Sequence, residues 1–151
     1  MNVSTNAVDL ICKYEGFRSR PYRDPVGIPT IGYGTTIYPD GKKVTMKDPP
    51  VFDLQARCYL LNHVMSDVDS IMRLVEVDLH QRQLDALVSF VYNVGIGAFK
   101  RSTLLRKLNR DPHDPSIEYE FSRWVLAGGR RLRGLVKRRD EEADLYFGYN
   151  T

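Results

Sequence analysis

The sequence predicts a mainly helical α+β fold: a small N-terminal lobe with a short antiparallel sheet, a long connecting helix and a larger C-terminal helical lobe. Residues 22–44 lose the helical period and are punctuated by prolines and glycines, which is typical of short strands joined by turns. A long helical pattern follows from residue 53, and the later segments also have helical spacing. We place the N-terminal lobe at about 1–52, the connecting helix at about 53–72 and the helical lobe at about 73–151. Together they form a single domain, with a cleft expected between the lobes.

The chain opens with the pattern of a short amphipathic helix. Ser4, Thr5 and Asn6 supply capping side chains. The apolar stripe that follows consists of Ala7, Leu10, Ile11 and Tyr14. Gly16 ends the pattern, so Glu15 falls in the last turn.

The next two predicted elements are a small sheet and a long connecting helix. Pieces such as "PTIGYGTTIY" favour an antiparallel sheet of two or three strands after Tyr22. Asp53 then caps a helix of roughly 18 residues, long enough to span a small protein. Its predicted buried stripe is Leu54, Cys58, Leu61, Met65, Val68 and Met72.

The C-terminal part is read as successive helices. The helical face of the segment "HQRQLDALVSFVYNVG" is Leu84, Leu87, Val88 and Val91. A short helix is expected to start at Ser102 or Thr103, and another at the pair Asp114-Pro115. The last helix is placed at about Leu135 to Phe147.

Composition indicates a globular protein with a mild basic bias. Hydrophobic residues make up 42% and charged residues 27%, and the net charge is +3. Such a bias suits nucleic acid, a membrane surface or an anionic wall polymer without choosing among them. Cys12 and Cys58 lie in apolar helical patterns and are expected to be buried, reduced thiols. The first residues have neither a basic start nor a long apolar run, so we expect no signal peptide, no membrane insertion and an initial location in the cytoplasm.

The stretch from Glu15 to Thr36 carries the candidate chemistry. Glu15 continues the apolar stripe at a helix C-terminus, where partial burial and the helix dipole both disfavour its ionised form. A paired or frayed surface glutamate is the alternative. Asp24 stands between two prolines, and an ordinary turn aspartate is its alternative. One carboxyl group as acid, a second as base and the Thr30 hydroxyl to hold a water would together suit glycosidic hydrolysis.

The spacing E-x8-D-x5-T, within "YEGFRSRPYRDPVGIPTIGYGTT", resembles the catalytic signature of bacteriophage lysozymes (endolysins) of glycoside hydrolase family 24. The segments "QRQLDALVSFVYNVGIGAFKRSTLLRKLN" and "FSRWVLAGGRRLRGLVKRRDEEADLY" are similar to the central and C-terminal parts of that family. The resemblance implies a lysozyme-like fold with Glu15 as general acid, completed by Asp24 and Thr30. It also implies cleavage of the β-1,4 bond between N-acetylmuramic acid and N-acetylglucosamine in bacterial peptidoglycan. We expect inversion, with Asp24 as base and Thr30 positioning the water.

Four further residues are candidate substrate-binding positions. Gly32 and Gly34 alternate in a predicted strand and would let a sugar approach the backbone, unless they serve only tight sheet packing. Asn93 ends a helix that should face the cleft, although it equally suits a helix stop. The resemblance implies an arginine that reaches Glu15 from the C-terminal region; Arg133, Arg138 and Arg139 are the candidates, of which we choose Arg138.

Other functions are weighed against this one. A lytic transglycosylase could work with one acid, and a non-catalytic wall-binding module could keep the fold. Nucleic-acid binding is disfavoured because no aromatic residues interleave with the arginines. The scattered histidines, His63, His80 and His113, indicate neither a metal site nor a metal cofactor, and no other cofactor is expected. We expect a monomer, on the reasoning that no long exposed apolar stripe is present, and the family context implies a holin for access to the wall.

Overall fold

The computed structural model describes residues 2–149 and has the predicted mainly helical α+β fold. Within those residues there are seven helices and two small antiparallel sheets. The helices are α1 (Thr5–Glu15), α2 (Asp53–Leu74), α3 (Gln81–Val94), α4 (Ile96–Lys100), α5 (Thr103–Arg110), α6 (Ile117–Ser122) and α7 (Arg133–Phe147). The strands are β1 (Arg18–Arg23), β2 (Pro29–Gly32), β3 (Leu126–Ala127) and β4 (Arg130–Arg131).

The N-terminal sheet has two strands, β1 and β2, with an irregular register between Arg18 and Tyr22. Its first strand starts at Arg18, four residues earlier than the predicted β segment. Tyr22 lies directly opposite Thr30, so their side chains share one face of the sheet. A further bridge, Ile31 to Thr35, closes the turn that follows β2.

The predicted buried face of α2 is wrong. Leu54 is 74% exposed and Met65 64% exposed, and Cys58 is also exposed. The residues that α2 buries are Ala56, Leu60, Val64, Asp67, Val68 and Ile71. Both stripes have helical spacing, and the sequence pattern favoured the one with the larger side chains. The structure uses the stripe with Ala56 because β2 lies so close that a Cβ on Gly32 would be 2.9 Å from that of Ala56.

The expectation of a monomer rested on the absence of a long exposed apolar stripe, and α2 has such a stripe. Leu54, Leu61, Met65 and Met72 form an outward apolar row along the helix. The monomeric state therefore stays a prediction without that support. Asp53 is the first residue of α2 rather than its cap, and its carboxylate accepts hydrogen bonds from Tyr33 and Arg57.

Helix α3 lies at the centre of the molecule and packs against α1, α2 and α7. The nine residues from Gln83 to Val91 are all buried, and Phe90 contacts the rings of Phe99, Phe121 and Trp124. This central position lets α3 present its C-terminal end to both the sheet side and the α7 side of the molecule.

Several C-terminal boundaries differ from the prediction. The helix expected at Asp114-Pro115 begins at Ile117, because the Asp114 carboxylate accepts hydrogen bonds from the backbone and hydroxyl of Ser116 and forms a turn. Helix α7 starts at Arg133, two residues before the expected position. The short helix α4 and the hairpin β3–β4 were not predicted, since each is too short to show a period.

Two absences hold for residues 2–149. No helix there combines the length and the apolar character needed to cross a bilayer. No group of three or more His, Cys, Asp or Glu side chains there is arranged to hold a metal ion.

Candidate active site

Glu15 is the last residue of α1, and its side chain points into a pocket closed by the sheet. Gly16 ends the helix with a φ of 71°, a conformation that glycine adopts without strain. The Glu15 side chain is only 20% exposed. It packs directly on the backbone of Gly34, where a Cβ would come 3.3 Å from the carboxyl atoms. A glycine at position 34 therefore makes room for this carboxyl group.

The arginine that pairs with Glu15 is Arg138. Its Nη1 lies 3.6 Å from Glu15 Oε1, and the side chain is 3% exposed. Arg133 is exposed at the start of α7, and Arg139 pairs elsewhere. The other nitrogens of Arg138 are engaged inside the protein, with Nε beside Glu142 and Nη2 donating to the Ser89 carbonyl at 3.0 Å, so the structure places Arg138 behind Glu15.

Arg138 belongs to a buried network of ion pairs and hydrogen bonds. Glu142 is fully buried; its Oε2 lies 3.3 Å from Arg138 Nε and accepts a hydrogen bond of 2.5 Å from the Ser89 hydroxyl. Arg139 Nε lies 2.9 Å from Glu142 Oε1, an ion pair whose angles fall short of a hydrogen bond. Arg139 also donates to Asn93 Oδ1 at 2.9 Å. Hydrogen bonds to these charged side chains therefore join α3 to α7 next to Glu15.

The surroundings of Glu15 raise its pKa. Burial raises the pKa of Glu15, and the charges of Arg138 and Arg139 oppose that rise without cancelling it. The upward direction expected for a partly buried glutamate is therefore present in the structure. Burial lowers the pKa of Arg139 to about 10, which still leaves it charged at neutral pH.

Asp24 lies outside this network, in the turn between β1 and β2. Its Oδ1 accepts hydrogen bonds from the backbone N–H groups of Val26 and Ile28 at 3.0 and 2.8 Å. Its own backbone N–H donates to the Ile28 carbonyl at 3.0 Å. Oδ2 has no hydrogen bond to any of residues 2–149. The turn therefore fixes the carboxylate through one oxygen and leaves the other available.

Thr30 is 3% exposed, on the strand that follows the turn. Its hydroxyl donates to the Ile28 carbonyl at 2.8 Å, so its hydrogen is already engaged. The oxygen lone pairs are the remaining polar capacity of this side chain. Any water held by Thr30 would therefore have to donate to it.

Tyr22 lies within the electrostatic influence of both carboxyl groups, and it was not predicted from the sequence. It lies opposite Thr30 in the sheet, and burial together with the charges of Glu15 and Asp24 raises its pKa. Its hydroxyl is therefore protonated at neutral pH. The two-residue spacing from Tyr22 to Asp24 was the available signal, since alternate positions in an extended segment share a face.

Tyr92, near the end of α3, is a second residue that sequence reasoning missed. Its hydroxyl donates to the Tyr33 carbonyl at 2.5 Å, which ties α3 to the turn after β2. Burial, with a contribution from the Glu15 charge, raises the pKa of Tyr92. The sequence feature that could have indicated Tyr92 was its position next to Asn93, at the end of the helix that was expected to face the cleft.

A cavity of about 580 Å³ opens between the Asp24 turn and the C-terminal helices. Pro25 borders it on the turn side. Its other lining residues are Asn93, Val94, Arg123, Trp124, Leu126, Ala127, Leu132 and Leu135. The unpredicted hairpin β3–β4 forms part of its wall. Asn93, which is exposed, borders this cavity, whereas Glu15, Asp24 and Thr30 are not among its lining residues.

The prediction for the two glycines is wrong in its geometry. Gly32 ends β2 and Gly34 lies in the following turn, both with positive φ, so they do not alternate along one strand. The space beside Gly32 is filled by Ala56 of α2. Gly34 instead adjoins the Glu15 carboxyl group. The two glycines permit close packing in two different directions.

The assembled site offers two carboxyl groups in different environments. One is buried, which raises its pKa; the other is held in the turn between β1 and β2, with an available oxygen. Such a pair can supply a proton to a leaving group and accept one from a water.

Comparisons with known proteins show the family of this chain. The family model described as phage lysozyme matches residues 12–142. The endolysin of Bacillus phage B103 is 38% identical over 147 residues, covering 97% of this chain and 54% of the relative, so this chain spans about half the length of that protein. The structure of the endolysin from Escherichia coli O157:H7 phage FAHEc1 is 35% identical with a TM-score of 0.87, covering 99% of this chain and 95% of that one. The muramidase domain of SpmX from Asticaccaulis excentricus is 31% identical with a TM-score of 0.82, covering 96% and 97%.

Proposed function

This chain belongs to the phage lysozyme family, and we propose that it is an endolysin that acts as a muramidase. It hydrolyses the β-1,4 bond between N-acetylmuramic acid and N-acetylglucosamine in bacterial peptidoglycan. The observation that carries the proposal is the pair of carboxyl groups: Glu15, buried against Gly34 and Arg138 with its pKa raised by burial, and Asp24, fixed in the β1–β2 turn with Oδ2 available. The names of its relatives, endolysins and a muramidase domain, support the same chemistry.

In this reaction Glu15 donates its proton to the glycosidic oxygen as the bond breaks. A general acid is effective when it still holds its proton near the working pH, which the buried pocket favours. The sugar develops positive charge at its anomeric carbon, and the protonated leaving group departs with the former Glu15 proton.

Asp24 acts as the base for the attacking water. Its available Oδ2 accepts the water proton while Oδ1 stays fixed by the turn. Thr30 accepts a second hydrogen bond from the same water, the only role its engaged hydroxyl allows. Direct attack by water inverts the configuration at the anomeric carbon, and it requires carboxyl groups separated by roughly 6.5–9.5 Å.

The remaining residues position the acid or the substrate. Arg138 holds the Glu15 side chain from behind and is a positioning residue rather than a substrate contact. Asn93 faces the cleft and offers its amide N–H₂ to the glycan, because its oxygen is already bonded to Arg139. Gly34 keeps space for the Glu15 carboxyl group.

Access to the wall completes the account. The protein works as a monomer, stays in the host cytoplasm until a holin opens the membrane, and then reaches the peptidoglycan for host cell lysis. The family context supports these steps.

Digestion of purified peptidoglycan by the wild type and by Glu15→Gln, with mass spectrometry of the soluble fragments, tests the proposal. Reducing muramic acid ends from the wild type, lost in the variant, are expected. Anhydro-muramic ends, lighter by one water, would replace hydrolysis by transglycosylation and remove the role of Asp24. No soluble fragments from either protein would point to a wall-binding module. Glu118→Gln, an exposed glutamate on α6, serves as the matched control.

A further inference from the structure

A second cavity lies apart from the one beside Asn93. It has a volume of about 590 Å³ and is formed by the loop 38–51 and the first turns of α2. It shares no lining residue with the cavity beside Asn93. The proposed reaction leaves it without a role.

Its aromatic wall is held rigidly. The Tyr38 hydroxyl donates to Asp48 at 2.6 Å, and the Tyr38 and Tyr59 rings meet edge to face with centroids 5.3 Å apart. The Gln55 amide donates to the Tyr59 hydroxyl at 2.8 Å. Three prolines, Pro39, Pro49 and Pro50, complete the apolar lining. A rigid wall of this kind loses little conformational entropy when a ligand binds.

The rim of the cavity offers hydrogen-bond donors, and its formal charges balance. Lys42 and Lys43 are exposed, and neither has an ion-pair partner among residues 2–149. Asp48 is occupied by Tyr38 and by the backbone and hydroxyl of Thr45, and Asp40 accepts from the backbone N–H of Lys42. Two lysines and two aspartates balance in formal charge. That balance disfavours a polyanion, whose binding depends on excess positive charge.

A sugar ring has the complementary chemistry. A pyranose presents apolar C–H faces, which pack on aromatic and proline surfaces, and a rim of hydroxyl, amide and carboxylate oxygens, which accept hydrogen bonds from lysines. We propose that this cavity, the Tyr38–Tyr59 groove, is a second binding site for the peptidoglycan glycan strand. It rests on the proposed function for the identity of the polymer. A second contact on a polymer raises the effective concentration of the cleft at the wall.

Binding to intact peptidoglycan sacculi tests the site separately from catalysis. In a Glu15→Gln background, sedimentation with sacculi should show about fivefold to tenfold weaker binding for Lys42→Gln/Lys43→Gln, the size expected when two exposed contacts are lost. Arg73→Gln/Lys100→Gln removes the same charge from exposed positions away from the groove and should bind as the parent does. With Glu15 intact, the lysine pair should cleave a short soluble glycan tetramer as fast as the wild type.

Three results would overturn the proposal. Equal weakening by both pairs would show general charge attraction, and no weakening by either would show that the groove does not bind glycan. Loss of binding to anionic lipid vesicles, with binding to sacculi retained, would assign the groove to a membrane. Sacculi bound through the lysine pair but not cleaved by the wild type would keep the groove and reject the muramidase instead.

Discussion

The two carboxyl groups of the site are held in opposite ways. Glu15 sits at a helix end, one-fifth exposed, above a buried network that joins α3 to α7. Asp24 sits in a turn, fixed by two backbone N–H groups no more than four residues away. The first depends on residues more than 120 positions distant in sequence, and the second only on its own turn.

This difference follows the demands of the two proposed roles. A general acid must keep its proton, so it benefits from burial that penalises the charged form. A general base must reach a water, so a partly exposed position with one available oxygen serves it better. We therefore expect substitutions in the network around Glu15 to lower stability, and substitution of Asp24 to lower activity.

The largest expected effect is on stability, on the Glu15 side. Glu142→Gln leaves two buried guanidinium groups without their shared carboxylate and should lower the free energy of unfolding by about 3–5 kcal/mol. Chemical denaturation measures it, with exposed Glu118→Gln expected within about 0.5 kcal/mol of the wild type. A loss as small as the control's would mean that the network does not support the pocket.

The Asp24 side should lose activity without losing stability. Asp24→Asn keeps an oxygen that can accept from Val26 and Ile28, but it cannot take a proton from water. We expect turnover of peptidoglycan to fall by about 100-fold, within the range for general base catalysis. Denaturation should show a change of less than about 1 kcal/mol. Full activity in this variant would remove Asp24 from the mechanism.

The turn at Asp24 could be predicted from a short stretch, because a turn is specified by adjacent residues. The role of Asp24 as a base came from the family resemblance, with an ordinary turn aspartate as the alternative. Arg138 could not be separated from Arg133 and Arg139 by pattern, because only the packing of α7 on α3 places it beneath Glu15.

The buried face of helix α2 also depends on a distant segment of the chain. Its period was correct and its face was not, since the close approach of Gly32 to Ala56 is a contact between distant segments. Tyr22 and Tyr92 were missed because their importance lies in what faces them. Glu15 itself was found from its place in the stripe of α1, a local feature.

Two glycines provide a matched pair across the site. Gly34 and Gly27 both have positive φ, so alanine at either should cost about 1–2 kcal/mol of stability through backbone strain. Only at position 34 would the new Cβ meet the Glu15 carboxyl group, whereas nothing lies within 4 Å at position 27. Turnover should therefore fall further in Gly34→Ala than in Gly27→Ala. Equal losses would show that the contact with Glu15 is unimportant.

The smallest expected effect is a pH dependence of stability. Because the folded-state pKa of Glu15 is raised, its contribution to stability is present below the unfolded pKa and is lost as the pH rises through the folded pKa. Glu15→Gln cannot ionise and avoids this loss. The stability of the variant relative to the wild type should therefore grow as the pH rises from about 4 to 7. A difference that shrinks over this range would reverse the sign assigned to Glu15.

The most direct test is a titration of the Glu15 carboxyl carbon by NMR, with the resonance assigned by its absence in Glu15→Gln. We expect a pKa above the ordinary value of 4.5, because burial outweighs the pairing with Arg138. A pKa below 4.5 would show that the pairing with Arg138 outweighs burial, which would contradict the proposal that burial prepares Glu15 as the general acid.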